Sequence, residues 1–476
     1  MVVRFVITRL LKLVLIILVL YIIYAILGST LPYIPSKNVS RESMEWLSSY
    51  RFKGDGNPGP DRITLVESTV EAMGARIEIL RYAEHSLDIA YHSITEGETT
   101  SAFFGEILNA ADRGVRVRIL LDGKVAVLSP EVSRIMHILE NHRNISCRMY
   151  NRLDWKRPWK WHTLLHDKFI LADNSLLLLG GRNIGDRYYA PRNYSKEVTN
   201  DRDVLVSNTT GSAGSVMTEM QAYMELLWNS EDSVPWKTRK AGAGFEDRLK
   251  KAAADFDQTN PAYFRLSMDD YLARSVETSK ITLAYNPVHT NKKEPWVGYL
   301  MGKLVLDASD SVLFQTPYAT ANKRLLEILE ASSASVDTVM LTNSMASSPN
   351  AAAFSNYYSQ RKKFTGTGVS IYEYQNTHSI HGKSIVADNS LSAVGSFNMD
   401  DRSFYIDTEN MLIIDSPLFA EILTGAMEDY LALSLKVGPD NRYELNPDVA
   451  ALPVKLPKKI LMWTVSVFSR LFQFLI

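Results

Sequence analysis

Cysteine is almost absent: the 476 residues carry one, Cys147, which excludes an internal disulfide and any cysteine-built metal centre. It reads as a small buried apolar side chain. An excess of one charge sign is missing too, since 52 Lys and Arg face 53 Asp and Glu for a formal net charge of −1. No global basic field exists to draw in polyanions, so composition argues against a general nucleic-acid binder. Metal-ligand patterns are equally thin. His162 stands four positions before His166 and His378 three before His381, but neither pair has a cysteine or clustered carboxylate to complete a site. No metal and no cofactor is expected. With 46% apolar residues, the chain still has material for large buried cores in two to three domains.

Long apolar runs are confined to the two ends. No charge occurs between Lys12 and Lys37, and "LVLIILVLYIIYAILGSTL" (Leu13 to Leu31) is long enough to cross about 30 Å of hydrocarbon at about 1.5 Å per residue. One membrane-spanning helix is expected. A cleaved signal peptide is the competing reading, disfavoured by the length of the run and the lack of a clean cleavage site. Arg4, Arg9 and Lys12 before the run favour a cytoplasmic N-terminus, which puts the rest of the chain on the outer side of the membrane; Lys37 and Arg41 after it weaken that bias. At the other end, "KKILMWTVSVFSRLFQFLI" (Lys458 to Ile476) is too short to span. As a helix it sets Lys459, Ser466, Ser469, Arg470 and Gln473 opposite Leu461, Trp463, Phe468, Leu471, Phe472 and Leu475, which suits either an interfacial membrane helix or one docked on the protein's own surface.

What the chain has in quantity is repetition. "HDKFILADNSLLLLGGRN" (His166 to Asn183) returns without a gap as "HGKSIVADNSLSAVGSFN" (His381 to Asn398), ten of the eighteen positions being identical. Around the first copy, a helical stretch from Glu67 to Glu84 leads into the apolar strand His85–Ile94, and Ala111–Gly123 repeats that order. Val297–Tyr318 and Leu325–Ser344 do the same in the second half. Strands alternating with helices indicate α/β units around a largely buried sheet, and two such halves indicate a duplicated domain. The polar stretch Trp228–Gln258, with its Gly-Ala segment, reads as the connector.

Each motif carries phosphate chemistry. His166 and Lys168, like His381 and Lys383, are two apart on a strand and share one face, so an imidazole and an ammonium can meet one anion. Gly180, Gly181, Gly395 and Ser396 allow close backbone approach, and Asn183 and Asn398 add neutral donors. Two such halves face to face suit covalent phosphoryl-group chemistry without a metal. Before the first motif, "NRLDWKRPWKW" (Asn151 to Trp161) interleaves three tryptophans with four basic residues, which fits either a lipid-headgroup surface or a packed loop. His92, at a strand end, is a candidate to line the pocket.

The spacing HxKxxxxDxxxxxxG(G/S)xN, present twice and intact, resembles the phospholipase D superfamily. Within it, "GGRNIGDRYY", "DRDVLV", "TNSMASSPNAAAFSNYYSQRKKF", "GVSIYEY" and "VGSFNMDDRSFYIDTEN" look like the bacterial cardiolipin synthases, the C type in particular, over roughly Leu65 to Leu433. The resemblance implies an α/β fold with two tandem phospholipase D-type α/β/α sandwich domains forming one shared active site, here behind an N-terminal transmembrane helix. The corresponding boundaries are an anchor over 1–36, a linker over 37–63, a first domain over 64–236, a connector over 237–278, a second domain over 279–435 and a tail over 436–476.

By the same resemblance His166 is the nucleophile that forms a phosphatidyl-histidine and His381 is the acid and base. Lys168, Lys383, Asn183, Asn398 and Ser396 hold the non-bridging oxygens. Glu409, eleven residues beyond Asn398, orients a catalytic histidine, and Asp201 is its best match in the first half. Gly181, His92 and Trp161 are expected at the substrate, and Asp173 and Asp388 in structural roles. The implied substrates are phospholipids, phosphatidylglycerol and phosphatidylethanolamine among them, at a bacterial inner membrane, with no nucleic acid and an undetermined oligomeric state. The alternatives with the same residues are a phospholipase D releasing phosphatidic acid and a membrane-anchored nuclease. A decayed non-catalytic scaffold is poorly supported, because no motif His, Lys or Asn is missing.

Overall fold

In the computed structural model, which describes residues 2–34, 36–238, 242, 244–469 and 473–475, two mixed sheets repeat one strand order. In the first, Arg62–Val66, Asp203–Ser207, Leu176–Gly180, Lys168–Ala172, Ser86–Tyr91, Arg116–Asp122, Ile145–Tyr150 and Ser233–Pro235 lie side by side, with the short Val276–Glu277 added at the Arg62 edge. In the second, Lys280–Tyr285, Asn410–Asp415, Leu391–Gly395, Ser384–Ala387, Ser311–Gln315, Asp337–Asn343, Ser370–Tyr374 and Ser434–Lys436 follow the same sequence of neighbours. The duplication therefore covers whole sheets and not only the motifs.

Each motif folds as a hairpin for a local reason. Asp173 and Asn174 have φ of 51° and 53°, and Asp388 and Asn389 have φ of 53° and 46°. Asp and Asn tolerate this left-handed turn best after glycine, so "ADNS" turns the chain tightly in both copies. The aspartates also bind across the sheet. Asp173 accepts the backbone N–H groups of Glu84, His85 and Ser86 at 2.7–2.8 Å, and Asp388 accepts those of Ser309, Asp310 and Ser311 at 2.8–3.2 Å. Neither aspartate is among the residues lining the cleft described below.

Three apolar layers hold the halves. Helices Thr69–Tyr82, Glu98–Asp112 and Pro130–Leu139 cover the outer face of the first sheet, and Trp296–Leu306, Lys323–Ser333 and Ala351–Thr365 cover that of the second. Between the sheets lies a shared core in which Phe169, Leu177 and Val204 of the first half meet Ile281, Val394 and Leu412 of the second. Helices Val216–Trp228 and Pro417–Leu431 fill this layer, each touching the other half's sheet.

The segment expected to connect the domains belongs to the first one. Helix Phe245–Thr259 is charged overall, but Phe245, Leu249, Ala253 and Phe256 recur at helical spacing, are buried, and pack against Glu98–Asp112. The expected connector positions Arg239, Lys240, Ala241 and Ala243 lie outside the described residues. The linker is equally committed: Val39, Leu47 and Phe52, with Tyr33 just before them, enter the outer core of the second domain. The tail helix Leu456–Ser469 docks on Ala351–Thr365 through buried Met462 while Ile460, Leu461 and Trp463 stay exposed, so it meets the protein on one side and leaves an apolar face outward. The tail positions Arg470, Leu471 and Phe472 lie outside the described residues.

One helix, within Arg4–Tyr33, is long and apolar enough to cross a membrane by length and composition. Its C-terminal half is not a free tether. The Tyr21 hydroxyl donates to the Trp155 carbonyl at 3.0 Å, Tyr24 to that of Lys156 at 2.7 Å, and Tyr33 to that of Trp159 at 2.5 Å. Gly28 permits the approach, since a Cβ there meets the Pro158 ring at 2.5 Å. The tryptophan-rich basic loop is thus both packed against this helix and partly open, with Trp155 63% exposed.

Candidate active site

The two motif histidines reach one cleft of about 410 Å³, whose walls include His92, His166, Asn183, Tyr188, Tyr318, His381 and Asn398. What brings them together is a reciprocal exchange of backbone between the halves. Ser379–Ile380, just before His381, pairs in parallel with Thr199–Asn200, just before Asp201, and the His381 N–H donates to the Asn200 carbonyl at 2.7 Å. Leu165, just before His166, bridges Thr408, just before Glu409, and the His166 N–H donates to the Thr408 hydroxyl at 3.1 Å.

The carboxylates therefore serve across the halves. His166 Nδ1 lies 2.9 and 3.0 Å from the two Glu409 oxygens, and His381 Nδ1 lies 2.6 Å from Asp201 Oδ2. An ionised carboxylate only accepts, so in the neutral ring each Nδ1 carries hydrogen and each Nε2 keeps the lone pair, that of His381 lying 3.2 Å from the Lys383 ammonium. Supporting hydroxyls fix Glu409 in turn: Ser396 donates to one of its oxygens at 2.5 Å and Ser403 to the other at 2.6 Å. Ser396, expected to hold phosphate oxygens, is fully buried behind this carboxylate and orients it instead. Gly181 also differs from expectation. It touches no open space but makes room for the second pair, since a Cβ there falls 2.3 Å from Asp201 Oδ1 and 3.2 Å from the Lys383 side chain.

Lys168 donates to the His166 carbonyl, and the Lys383 ammonium lies 2.8 Å from His381 Nδ1 and 3.2 Å from Nε2. Burial, aided by the Lys383 charge, brings Lys168 down to about 7, and burial brings Lys383 to about 8 against the pull of Asp201. Burial together with the Lys168 ammonium pushes His166 well below the usual imidazole range, and burial with Lys383 brings His381 to about 4. The carboxylates diverge. Burial raises Glu409 well above the ordinary range, whereas at Asp201 the Lys383 and His381 charges outweigh burial and hold the group ionised. His166 thus faces a weaker anion than His381 does.

Asn183 accepts the Ser93 N–H at 3.2 Å and donates to the Tyr188 hydroxyl at 3.1 Å, leaving its edge on the cleft. Asn398 lines the opposite wall, with its carbonyl oxygen buried and without a hydrogen-bond partner. His92 is where the sequence reading put it, its ring centroid 4.9 Å from that of His166 and its Nδ1 hydrogen donated to the Leu165 carbonyl at 2.9 Å. Trp161 is not among the residues lining the cleft; its indole N–H donates to the Asp154 carbonyl at 2.7 Å, inside the loop that meets the N-terminal helix. Two contributors had no signal in a single copy of the motif. Tyr188 and Ser403 each stand five residues after a motif asparagine and each bonds it, so aligning the copies further would have found them. Asp167, inside the first motif, is a buried strut between the halves that accepts from Tyr223 at 2.8 Å and Asn410 at 2.7 Å. Among the described residues, no group of three or more His, Cys, Asp or Glu could hold a metal ion.

Comparison with known proteins bears on this arrangement. A family model described as cardiolipin synthase, PLD-like domain, matches residues 77–228 and 303–431, more than half of the chain. An uncharacterized protein of Helicobacter pylori is 27% identical over 426 residues, covering 80% of this chain and 82% of that one. Cardiolipin synthase C of Escherichia coli is 24% identical over 408 residues, covering 77% and 84%. Among solved structures, phosphatidylserine synthase of Haemophilus influenzae is similar in fold, with a TM-score of 0.62 at 14% identity over 87% of this chain and 95% of that one.

Proposed function

The chain belongs to the cardiolipin synthase family of phospholipase D-like proteins, and from that premise we propose that it is a membrane-anchored phosphatidyltransferase that makes cardiolipin by moving a phosphatidyl group onto phosphatidylglycerol. The observation that carries the reading is the crossed pair: two imidazoles in one cleft, each with Nδ1 tied to the other half's carboxylate. A hydrolase needs the same pair, but the anchor and the family tilt the reading toward lipid as both donor and acceptor.

In the proposed reaction His166 Nε2 attacks the donor phosphorus and forms a P–N bond, while the bond from phosphorus to the headgroup oxygen breaks. His381, entering this step as the imidazolium, gives its Nε2 proton to that oxygen and becomes neutral, releasing glycerol or ethanolamine. His381 then takes the proton of the phosphatidylglycerol hydroxyl, whose oxygen attacks phosphorus and returns the electron pair of the P–N bond to His166. The divergence of the carboxylates supports this order of roles. Ionised Asp201 stabilises a proton on His381, while Glu409 leaves His166 neutral and nucleophilic. Lys168, Lys383, Asn183 and Asn398 hold the non-bridging oxygens as charge builds. Tyr21, Tyr24 and Tyr33 tie the anchor to the first domain, which would keep the cleft at a set height over the outer face of the bilayer.

The test is to incubate the purified full chain with phosphatidylglycerol vesicles, alone and with phosphatidylethanolamine, and to resolve the lipids by mass, with His166→Ala as the blank. Cardiolipin, with glycerol or ethanolamine naming the donor, is expected. Phosphatidic acid alone would make the chain a hydrolase. Absence of any lipid product together with cleavage of oligonucleotides would make it a nuclease.

A further inference from the structure

We propose that a second anion subsite, built on Arg187 beside the catalytic cleft, holds the phosphate that the acceptor phospholipid already carries; the proposal rests on the phosphatidyltransferase reading above. It begins from the repeat. Arg187 stands four residues after Asn183, and Arg402 four after Asn398, so the two are the same position in the two copies. Their surroundings differ in one respect that matters. Arg402 is neutralised: it donates to Asp407 at 3.1 and 3.2 Å, to the His162 carbonyl at 2.6 Å and to the Leu475 carbonyl at 3.1 Å. Among the described residues Arg187 donates to the Thr199 hydroxyl alone, at 2.8 and 3.2 Å, and its guanidinium lies over the Tyr188 ring, 5.4 Å from its centroid. Among the described residues, no carboxylate lies within ion-pair distance of it.

A half-buried guanidinium with one neutral hydrogen-bond partner among the described residues keeps its charge and most of its donors for an anion. Arg187 opens on a cavity of about 550 Å³ whose other walls offer Ser195, Lys196, Thr199, Thr377 and Ser379, with one acid, the exposed Glu197. Hydroxyls around a guanidinium and an ammonium are the donor set for a phosphate oxygen. The cavity adjoins the cleft residue by residue, because Tyr188 and Asn350 line the cleft while Arg187 and Pro349 line the cavity. Tyr188, whose ring lies under the Arg187 guanidinium, lines the cleft with its ring centroid 6.2 Å from that of His381.

The second half-reaction supplies a reason for such a site. One phosphate is then bonded to His166 and engages Lys168 and Lys383, and phosphatidylglycerol brings a second phosphodiester three carbons from its reacting hydroxyl. Two phosphate anions in one cleft repel, and the catalytic ammoniums are already occupied. Arg187 offers the second anion a cation one aromatic ring from His381, the group that takes the acceptor's proton. Water has no charge to bind there, so the subsite would favour transfer to lipid over hydrolysis.

The experiment compares two acceptors that differ by this phosphate, phosphatidylglycerol and free glycerol, with phosphatidylethanolamine as donor in mixed micelles. Arg187→Gln is expected to lower the ratio of kcat/KM for phosphatidylglycerol to that for glycerol by about ten- to a hundredfold, the loss of one charge-assisted contact. Arg187→Lys, which keeps the charge, should recover most of the ratio. An unchanged ratio, or an equal fall for both acceptors, overturns the proposal. Calorimetric titration of glycerol phosphate separates this from the functional reading: two sites are expected in the native chain and one in Arg187→Gln. If the native chain makes no cardiolipin, the functional reading fails by itself. Equal site numbers in both proteins would still refute the subsite.

Discussion

Replacing Glu409 by Gln isolates what the crossed carboxylate does for the proposed nucleophile. The side chain is fully buried, sits 2.9–3.0 Å from His166 Nδ1, and already accepts two serine hydroxyls, so the amide fits the same space. What changes is the partner of Nδ1. If the amide nitrogen turns to the ring, the hydrogen moves to Nε2 and the lone pair that attacks phosphorus is gone. If the amide oxygen turns to it, a neutral acceptor replaces a charged one. A hydrogen bond to a charged group contributes about 1.5–3 kcal/mol, which corresponds to roughly 10- to 150-fold in rate. Initial rates of transfer between short-chain phospholipids should therefore show kcat down by that factor with KM little altered. Burial disfavours the charged form of Glu409, so an amide in its place should leave the unfolding temperature at neutral pH unchanged or higher. A variant with kcat within twofold of the native chain would refute the crossed-pair argument, and a loss of rate matched by a loss of stability would reduce Glu409 to a folding group.

Other perturbations address separate parts of the account. Sulfate, whose charge is constant over the range, should inhibit less as pH rises through about 7 and about 8, because Lys168 and Lys383 lose the protons that bind it; an inhibition constant flat from pH 6 to 9 contradicts this. Activity should survive dialysis against EDTA, since imidazole and ammonium supply the charge that a metal would, and restoration by zinc after a loss would overturn the assignment. Deleting residues 458–476 removes the outward apolar face of Leu461 and Trp463 and should depress turnover on vesicles several-fold more than on soluble short-chain substrate; equal losses would assign the helix to folding through Met462.

The parts of the site that were legible in sequence are those encoded locally. A strand presents His and Lys two apart on one face, and Asp in a left-handed turn reaches the loop beside it, so His166, Lys168, Asp173 and their copies were readable from spacing. The family resemblance points to Glu409 at eleven residues beyond Asn398 and to Asp201 by its place before "VLV", but not to the crossing between halves. That crossing depends on Thr199–Asn200 and Thr408 pairing with the other half's strand starts, a long-range event. Ser396 was misjudged for a related reason: small size signals close approach without saying whether the neighbour is substrate or, as here, Glu409. In the helix Phe245–Thr259, summed charge hid four apolar positions at helical period, which a periodicity count over the window would have recovered. The anchor's seat on Trp155–Trp159 left no mark in composition beyond aromatic residues on both partners.

The central claim is a covalent phosphatidyl-histidine at His166, resolved by His381. His381→Ala, incubated briefly with phosphatidylglycerol or phosphatidylethanolamine, quenched in alkali and digested, should yield the peptide containing His166 heavier by one phosphatidyl group, with the corresponding peptide of His166→Ala unmodified. An adduct on His381 in His166→Ala, with none on His166, would exchange the two roles. Full turnover without any adduct on either histidine would contradict the covalent mechanism altogether.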